Sequence, residues 1–231
     1  MREILIYFAI KYKGRFENIY DAIKRKEPVD KEEIKTVIKM LENNVFKAIT
    51  IIDDEYPKSL KLINNPPMVL FYKGNVDLLY KKMVIVTGDA CEENKKQITK
   101  KVKEIYLNDS ILVSWQMLSL DKELTNNLLS KNKPVVLISL NGIQQPKFKF
   151  NLNESLLSNP NNYLIVSERL NVNGMKIKKK DIENLTRLIT GFSSELHISS
   201  LMLGFFQVQK NEIENEILQS LTNQKSKKVF Q

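Results

Sequence analysis

Tyr56-Pro57-Lys58-Ser59-Leu60, Ile63, Pro66-Pro67, Val69-Leu70-Phe71-Tyr72-Lys73-Gly74-Asn75 and Val84-Ile85-Val86-Thr87-Gly88-Asp89 form the stretch from which the rest of the chain is read. Tyr56-Pro57 closes an extended segment, and Leu60 and Ile63 stand three apart, as on a short helical turn. Pro66-Pro67 forbids further helix, because proline lacks the amide proton and restricts the residue before it. Residues 68–72 are an unbroken apolar run of strand length, and Lys73-Gly74-Asn75 is turn chemistry, since Gly and Asn tolerate positive φ. After a short helical piece at 76–80, residues 83–86 read as a buried strand leading into Thr87-Gly88. A strand that passes through Gly into a helix is where α/β folds hold phosphate on backbone amides.

Working outward, the pattern before residue 48 is helical. Ile4, Leu5, Phe8 and Ala9 share one helical face, which Lys13-Gly14 ends. Phe16, Ile19, Tyr20 and Ile23 repeat the period as far as Pro28. Asp30 is then an N-cap, with Glu32 and Glu33 in the first turn where the helix dipole favours them. Ile34, Val37, Ile38 and Leu41 supply the third apolar face, which Asn43-Asn44 ends. Residues 1–47 are therefore expected to form a small helical module that binds DNA, binds protein or caps the sheet. From residue 48 strands and helices alternate. Strands are expected at 48–52, 68–72, 83–87, 111–114, 134–139, 163–166 and 196–199, and helices at 92–106, 121–130, 153–157, 181–192 and 201–221. Apolar runs buried on both faces in a β-α-β rhythm predict an α/β fold with a doubly wound, mostly parallel sheet over 48–231.

Composition narrows the function classes. The 231 residues are enough for one large domain or two small ones without a covalent staple. One cysteine, Cys91, excludes an internal disulfide and a Cys-rich zinc site, and suits a reducing cytoplasm. A single histidine, His197, argues against a His-based metal centre, so neither metal nor cofactor is expected. No stretch approaches the ~20 apolar residues of a membrane span. The net charge of +9, from 36 basic and 27 acidic residues, favours an anionic partner, nucleic acid before membrane. Abundant Lys, Asn and Ile is also the coding signature of an AT-rich genome, which raises charge without a function behind it.

The order Tyr-Pro, Leu, double Pro, Leu-Phe-Tyr-Lys-Gly-Asn, then an apolar strand ending near Gly, resembles the DprA/Smf family across residues 52–86. That resemblance implies a Rossmann-like sheet that binds single-stranded DNA and hands it to RecA, a homodimer, and no catalysed reaction. Where the family has Gly-Ser/Thr-Arg after the strand, this chain has Thr87-Gly88-Asp89. Gly88 keeps a glycine, but Asp89 puts a carboxylate in place of the cation and reads better as a helix N-cap than as a phosphate contact. The family's Gly-rich run corresponds to Ser114-Trp115-Gln116-Met117-Leu118-Ser119-Leu120-Asp121, in which Ser114 and Asp121 survive and every glycine is gone. Trp115 obstructs the close backbone approach that glycine permits, and reads either as a base-stacking ring or as a packed one. Asn141-Gly142-Ile143 and Ser167-Glu168 match later family turns, with Glu168 holding a loop or a neighbouring basic group rather than touching DNA.

The family's last signature, a helix presenting arginines, retains only Arg187. Just upstream, Lys176, Lys178, Lys179 and Lys180 form the densest basic cluster, able to replace arginines as point charges or to be a solvated loop. The DNA-binding set implied is Lys176, Lys178, Lys179, Lys180, Arg187, Ser114, Trp115 and Gly88. The family's Ser-Gly-Ser/Thr motif past Ser199 is absent, and no C-terminal winged helix is expected. Leu196, Ile198, Leu201, Met202, Leu203, Phe205 and Phe206 exceed what one face of one helix hides, which suits a two-fold dimer or a wholly buried helix. The functional expectation is sequence-independent binding of single-stranded DNA in RecA-dependent recombination or transformation. Its rival is a degenerate Rossmann scaffold that acts through protein contacts. A nucleotide-handling enzyme of the lysine-decarboxylase-like Rossmann group is disfavoured, because the Gly-rich loops and an acid/base pair are missing.

Overall fold

Three helices lead the chain: α1 (Arg2–Lys11), α2 (Phe16–Lys24) and α3 (Lys31–Glu42). The computed structural model describes residues 1–87, 92–115, 119–144, 154–171, 184, 187–189, 191–192 and 194–198. α1 ends in a Schellman turn, with Gly14 N–H donating to Ala9 O (2.8 Å) and Lys13 N–H to Ile10 O (3.2 Å). Lys13 and Gly14 both take positive φ, +53° and +72°. A side chain at Gly14 would collide with the backbone of Glu168, so the turn between α1 and α2 sits directly on a loop of the sheet. Asp30 caps α3 as expected, accepting from Glu32 N–H (2.7 Å). The Glu27 carboxylate gathers Lys11, Tyr12 and Arg25, whose donors, Lys11 foremost, hold its pKa down at about 2.

Seven strands follow in one sheet: β1 (Lys47–Thr50), β2 (Val69–Gly74), β3 (Lys82–Thr87), β4 (Ser110–Ser114), β5 (Val135–Ile138), β6 (Tyr163–Ser167) and β7 (Glu195–Ile198). Their order is β1-β2-β6-β5-β4-β3-β7. The pairs from β6 through β5, β4 and β3 to β7 are parallel, as the apolar runs predict. β2 runs antiparallel to β6, and β1 antiparallel to β2. Every residue of β4, β5 and β6 is buried, the mark of parallel strands covered on both faces. The expected helix at 153–157 is instead one 3-10 turn, Glu154–Leu157. The expected helix at 201–221 and half of the one at 181–192 lie outside the described residues.

The sheet divides the core into two layers. On one side Tyr56, Leu60 of α4 (Lys58–Lys61), Leu188, Ile189 and Phe192 cover Leu70, Ile85, Val113 and Val136. On the other side Leu5, Ile6, Phe8 and Ala9 of α1, Ile19 of α2 and Val37 of α3 share a cluster with Val69, Phe71, Val84, Leu112 and Ile165. α5 (Glu92–Leu107) and α6 (Ser119–Ser130) belong to this second layer through Ile98, Val102, Ile105, Leu128 and Leu129. The leading helices therefore share a core with the sheet rather than standing apart from it.

The opening stretch now has a physical reading. Tyr56 is 1% exposed, and its hydroxyl donates to Pro67 O (2.7 Å), tying Tyr-Pro to the double proline across the α4 turn. Burial, with Glu168 nearby, pushes the Tyr56 pKa well up, so it stays a donor at any ordinary pH. Gly74 takes φ +100°, and a side chain there would meet Tyr163 O, which accepts from Asn75 N–H (2.8 Å). Gly74→Ala should therefore cost at least about 2 kcal/mol, from left-handed strain plus loss of the β2–β6 closure. Thermal denaturation should show a fall of roughly 4–8 °C, and an unchanged midpoint would refute the close approach.

Candidate nucleic-acid interface at the carboxyl rim of the sheet

Five parallel strands end on one rim. From β3 the chain advances through β4 and β5 to β6, then returns to place β7 on the far side of β3. Strand order reverses between β3 and β7, which is the switch point where open α/β sheets leave a crevice for ligands. The start of β7 is fixed against β3 by Ser194, whose N–H and hydroxyl both donate to Met83 O (2.9 Å each). Thr87 ends β3 at that crevice. Gly88, Asp89 and the lysines Lys176, Lys178, Lys179 and Lys180 lie outside the described residues.

The β5–β6 half of the rim is filled by the chain itself. Ser167 Oγ donates to Ser139 O (2.7 Å), Ser139 Oγ donates to Gly142 O (2.9 Å), and Arg169 N–H donates to Ser167 Oγ (3.1 Å). Ile143 and Gln144 N–H both donate to Leu170 O (3.0 and 2.9 Å). The Asn141-Gly142-Ile143 turn and the Ser167-Glu168 turn are thus stitched together. Both turns are visible in the sequence, but nothing there signals that they pair.

Beside this seam, the Arg187 guanidinium donates to the Glu168 carboxylate. Glu168 is 5% exposed and Arg187 9%. Burial raises the Glu168 pKa, and the charge and hydrogen bond of Arg187 oppose that rise. Arg187, expected in a groove, has its charge held against Glu168, because a buried carboxylate needs a cation more than the surface does. The expectation that Glu168 holds a basic group is met by the same pair. Trp115 also departs from a base-stacking position, being 8% exposed within the cluster that contains Val113 and Ile138. Ser114 is buried at the end of β4, in register with Leu137. Asp121 is buried at the start of α6, and Thr125 Oγ1 donates back to its carbonyl (2.7 Å). Of the expected set, then, the three residues that can be described sit within or beneath the rim.

Among the described residues no group of His, Cys, Asp and Glu is arranged to hold a metal ion, and no helix is long and apolar enough to cross a membrane.

Known proteins give this geometry a context. The model of a family described as DNA recombination-mediator protein A matches residues 47–200, from β1 to just past β7. The DNA processing protein DprA of Streptococcus pneumoniae (strain ATCC BAA-255 / R6) is 39% identical over 70 residues, 30% of this chain and 25% of that protein. An X-ray structure of the pneumococcal DprA superposes with a TM-score of 0.55 at 24% identity, over 79% of this chain and 59% of that one. DNA processing protein A of Helicobacter pylori, whose structure is described as giving insight into its single-stranded DNA binding mode, superposes with a TM-score of 0.53 at 22% identity. That likeness covers 69% of this chain and 71% of the other. The structures share the fold, and the curated relative is matched over only a quarter of its length. With the family model spanning the whole described sheet, the chain belongs to the DNA recombination-mediator protein A family.

Proposed function

We propose that the protein binds single-stranded DNA, without sequence preference, at the crevice between the ends of β3 and β7, and passes it to RecA as a homodimer. The observation that carries this is the switch point itself. It falls at Thr87, the last residue of β3, which Gly88 follows in the sequence, and a strand that passes through Gly into a helix suits phosphate. The β5–β6 half of the rim is closed by its own hydrogen bonds, which leaves the β3–β7 half for a ligand. A net charge of +9 supplies the long-range attraction. The single-stranded DNA binding named for the Helicobacter pylori relative supports the same partner. Lys176, Lys178, Lys179 and Lys180, together with Gly88, supply the phosphate contacts, and Arg187 holds the rim from inside.

Titration of oligo-dT across a salt series is the decisive experiment. The wild type should bind, with log affinity falling linearly in log salt. Absence of binding would leave the rival reading, a scaffold that acts through protein contacts. Replacing the four lysines by Ala should lower the slope by ~0.7 for each phosphate no longer neutralised, and an unchanged slope would remove them from the site. Arg187→Met should behave differently. It leaves Glu168 buried without its cation, so stability should drop by about 3–5 kcal/mol in denaturant unfolding, and adding Glu168→Gln should recover part of that drop. An Arg187→Met protein that stays stable but has a flatter salt dependence would return Arg187 to the DNA contacts. Sedimentation equilibrium at micromolar concentration should give twice the 26.9 kDa chain mass, and a clean monomer would end the dimer proposal.

A further inference from the structure

We propose that the outward face of α5 is a second contact for the same strand, with Lys96, Lys100 and Lys103 following its phosphates away from the crevice. The inference rests on the single-stranded DNA reading above. At 100° per residue these three lysines fall within about 60° of arc, and the 1.5 Å rise sets them roughly 6 and 4.5 Å apart along the axis. All three are exposed. The opposite face, Ile98, Val102 and Ile105, is buried against the sheet, so the lysines point away from the core. The carboxylate of Glu104 lies to one side and pairs with Lys101 (3.6 Å). Among the described residues, Lys96, Lys100 and Lys103 have no acidic partner.

Some cations on the other helices are neutralised by a neighbouring carboxylate. On α3 Lys35 pairs with Glu32 (2.7 Å), and Lys11 of α1 pairs with Glu27 (2.8 Å). On α5 a row of ammonium groups faces solvent, and like charges at this spacing repel one another unless an anion lies along them. Ammonium point charges on flexible stems suit a phosphate backbone that is bound without reading its sequence.

Two features extend the row. Lys133 stands over the Tyr106 ring (5.9 Å), and the Tyr106 hydroxyl is pinned to Pro134 O (2.6 Å), so a fourth cation flanks the helix end. Leu107, one turn beyond Lys103, is 84% exposed. A bare apolar surface at the end of a cationic row fits the open face of an unpaired base, which a duplex does not offer. Glu92 and Glu93 occupy the first turn of α5, so the row begins at Lys96, one turn in from the crevice.

The test compares K96Q/K100Q/K103Q with a control of equal charge change, K24Q/K31Q/K39Q on α2 and α3. Fluorescence anisotropy would follow binding of oligo-dT of about six and about 30 nucleotides over a salt series. For the α5 variant the log–log slope should fall by about two units on the long strand, at ~0.7 for each of the three lysines, and change little on the short one. The control should match the wild type on both. An unchanged slope on the long strand overturns the inference, as does an equal fall in the control, which would reduce the effect to net charge. If the wild type binds neither strand, the single-stranded DNA reading falls and this inference falls with it.

Discussion

Burial of β4, β5 and β6 on both faces is the constraint from which the rest follows. A strand covered on both sides can offer no side chain to a partner along its length. Its backbone groups are taken up by neighbouring strands, and the polar residues that remain gather at the strand ends: Ser110 below, Ser114, Ser139 and Ser167 above. Each buried hydroxyl there must be satisfied within the chain or by a ligand. Ser139 and Ser167 are satisfied within it, and in doing so they close the rim over β5 and β6. That leaves the other half, where β3 meets β7, for the recognition proposed above.

The Glu168–Arg187 pair answers the same need to satisfy buried polar groups. The loop carrying Glu168 leaves β6 beneath the turn between α1 and α2, with Gly14 close against its backbone. A charge placed there meets little water, and burial acts against its ionised form. Arg187, arriving from the chain just before β7, makes the charge tolerable. One ion pair thus links the end of β6, the helical module above it and the return to β7. Such a pair gains little net stability over a well-packed apolar substitute, but removing one member alone is strongly destabilising. Arg187 therefore has a structural role in this chain, which a motif match alone does not reveal.

What the sequence made legible was whatever has a period or a turn. Seven strands, the three leading helices, the Asp30 cap and the stop at Lys13-Gly14 were each readable from spacing, because hydrophobic alternation and turn chemistry are local. The antiparallel placement of β2 was not, since it depends on which edge of the parallel sheet the β1–β2 pair joins. Burial of Arg187 was missed, and that of Trp115 was left open between stacking and packing, for a related reason. A motif places a residue on a loop or a helix but says nothing of what packs against it, here Glu168 for Arg187 and the Ile138 cluster for Trp115. The pairing of Glu168 with Arg187 joins positions 19 apart, beyond any helical or strand period.

The lysines of α5 show the opposite case, a signal that was local and still passed over. Lys96, Lys100 and Lys103 repeat at the helical period opposite Ile98, Val102 and Ile105, so the sequence contains the whole pattern. A count of charge over the whole chain hides it, because +9 spread over 231 residues is compatible with any solvated surface. Distribution is the informative quantity. Cations interleaved with carboxylates, as on α3, largely cancel beyond a Debye length, whereas a row of one sign projects a field that a polyanion can follow. The family's glycines and arginines at the first loops are replaced in this chain, which weakens close backbone and bidentate approaches to phosphate. In the proposed reading a row of lysines compensates by a different route, many weak and salt-sensitive contacts in place of a few specific ones. Binding by such a chain should therefore be more sensitive to ionic strength than binding built on arginine forks and glycine loops.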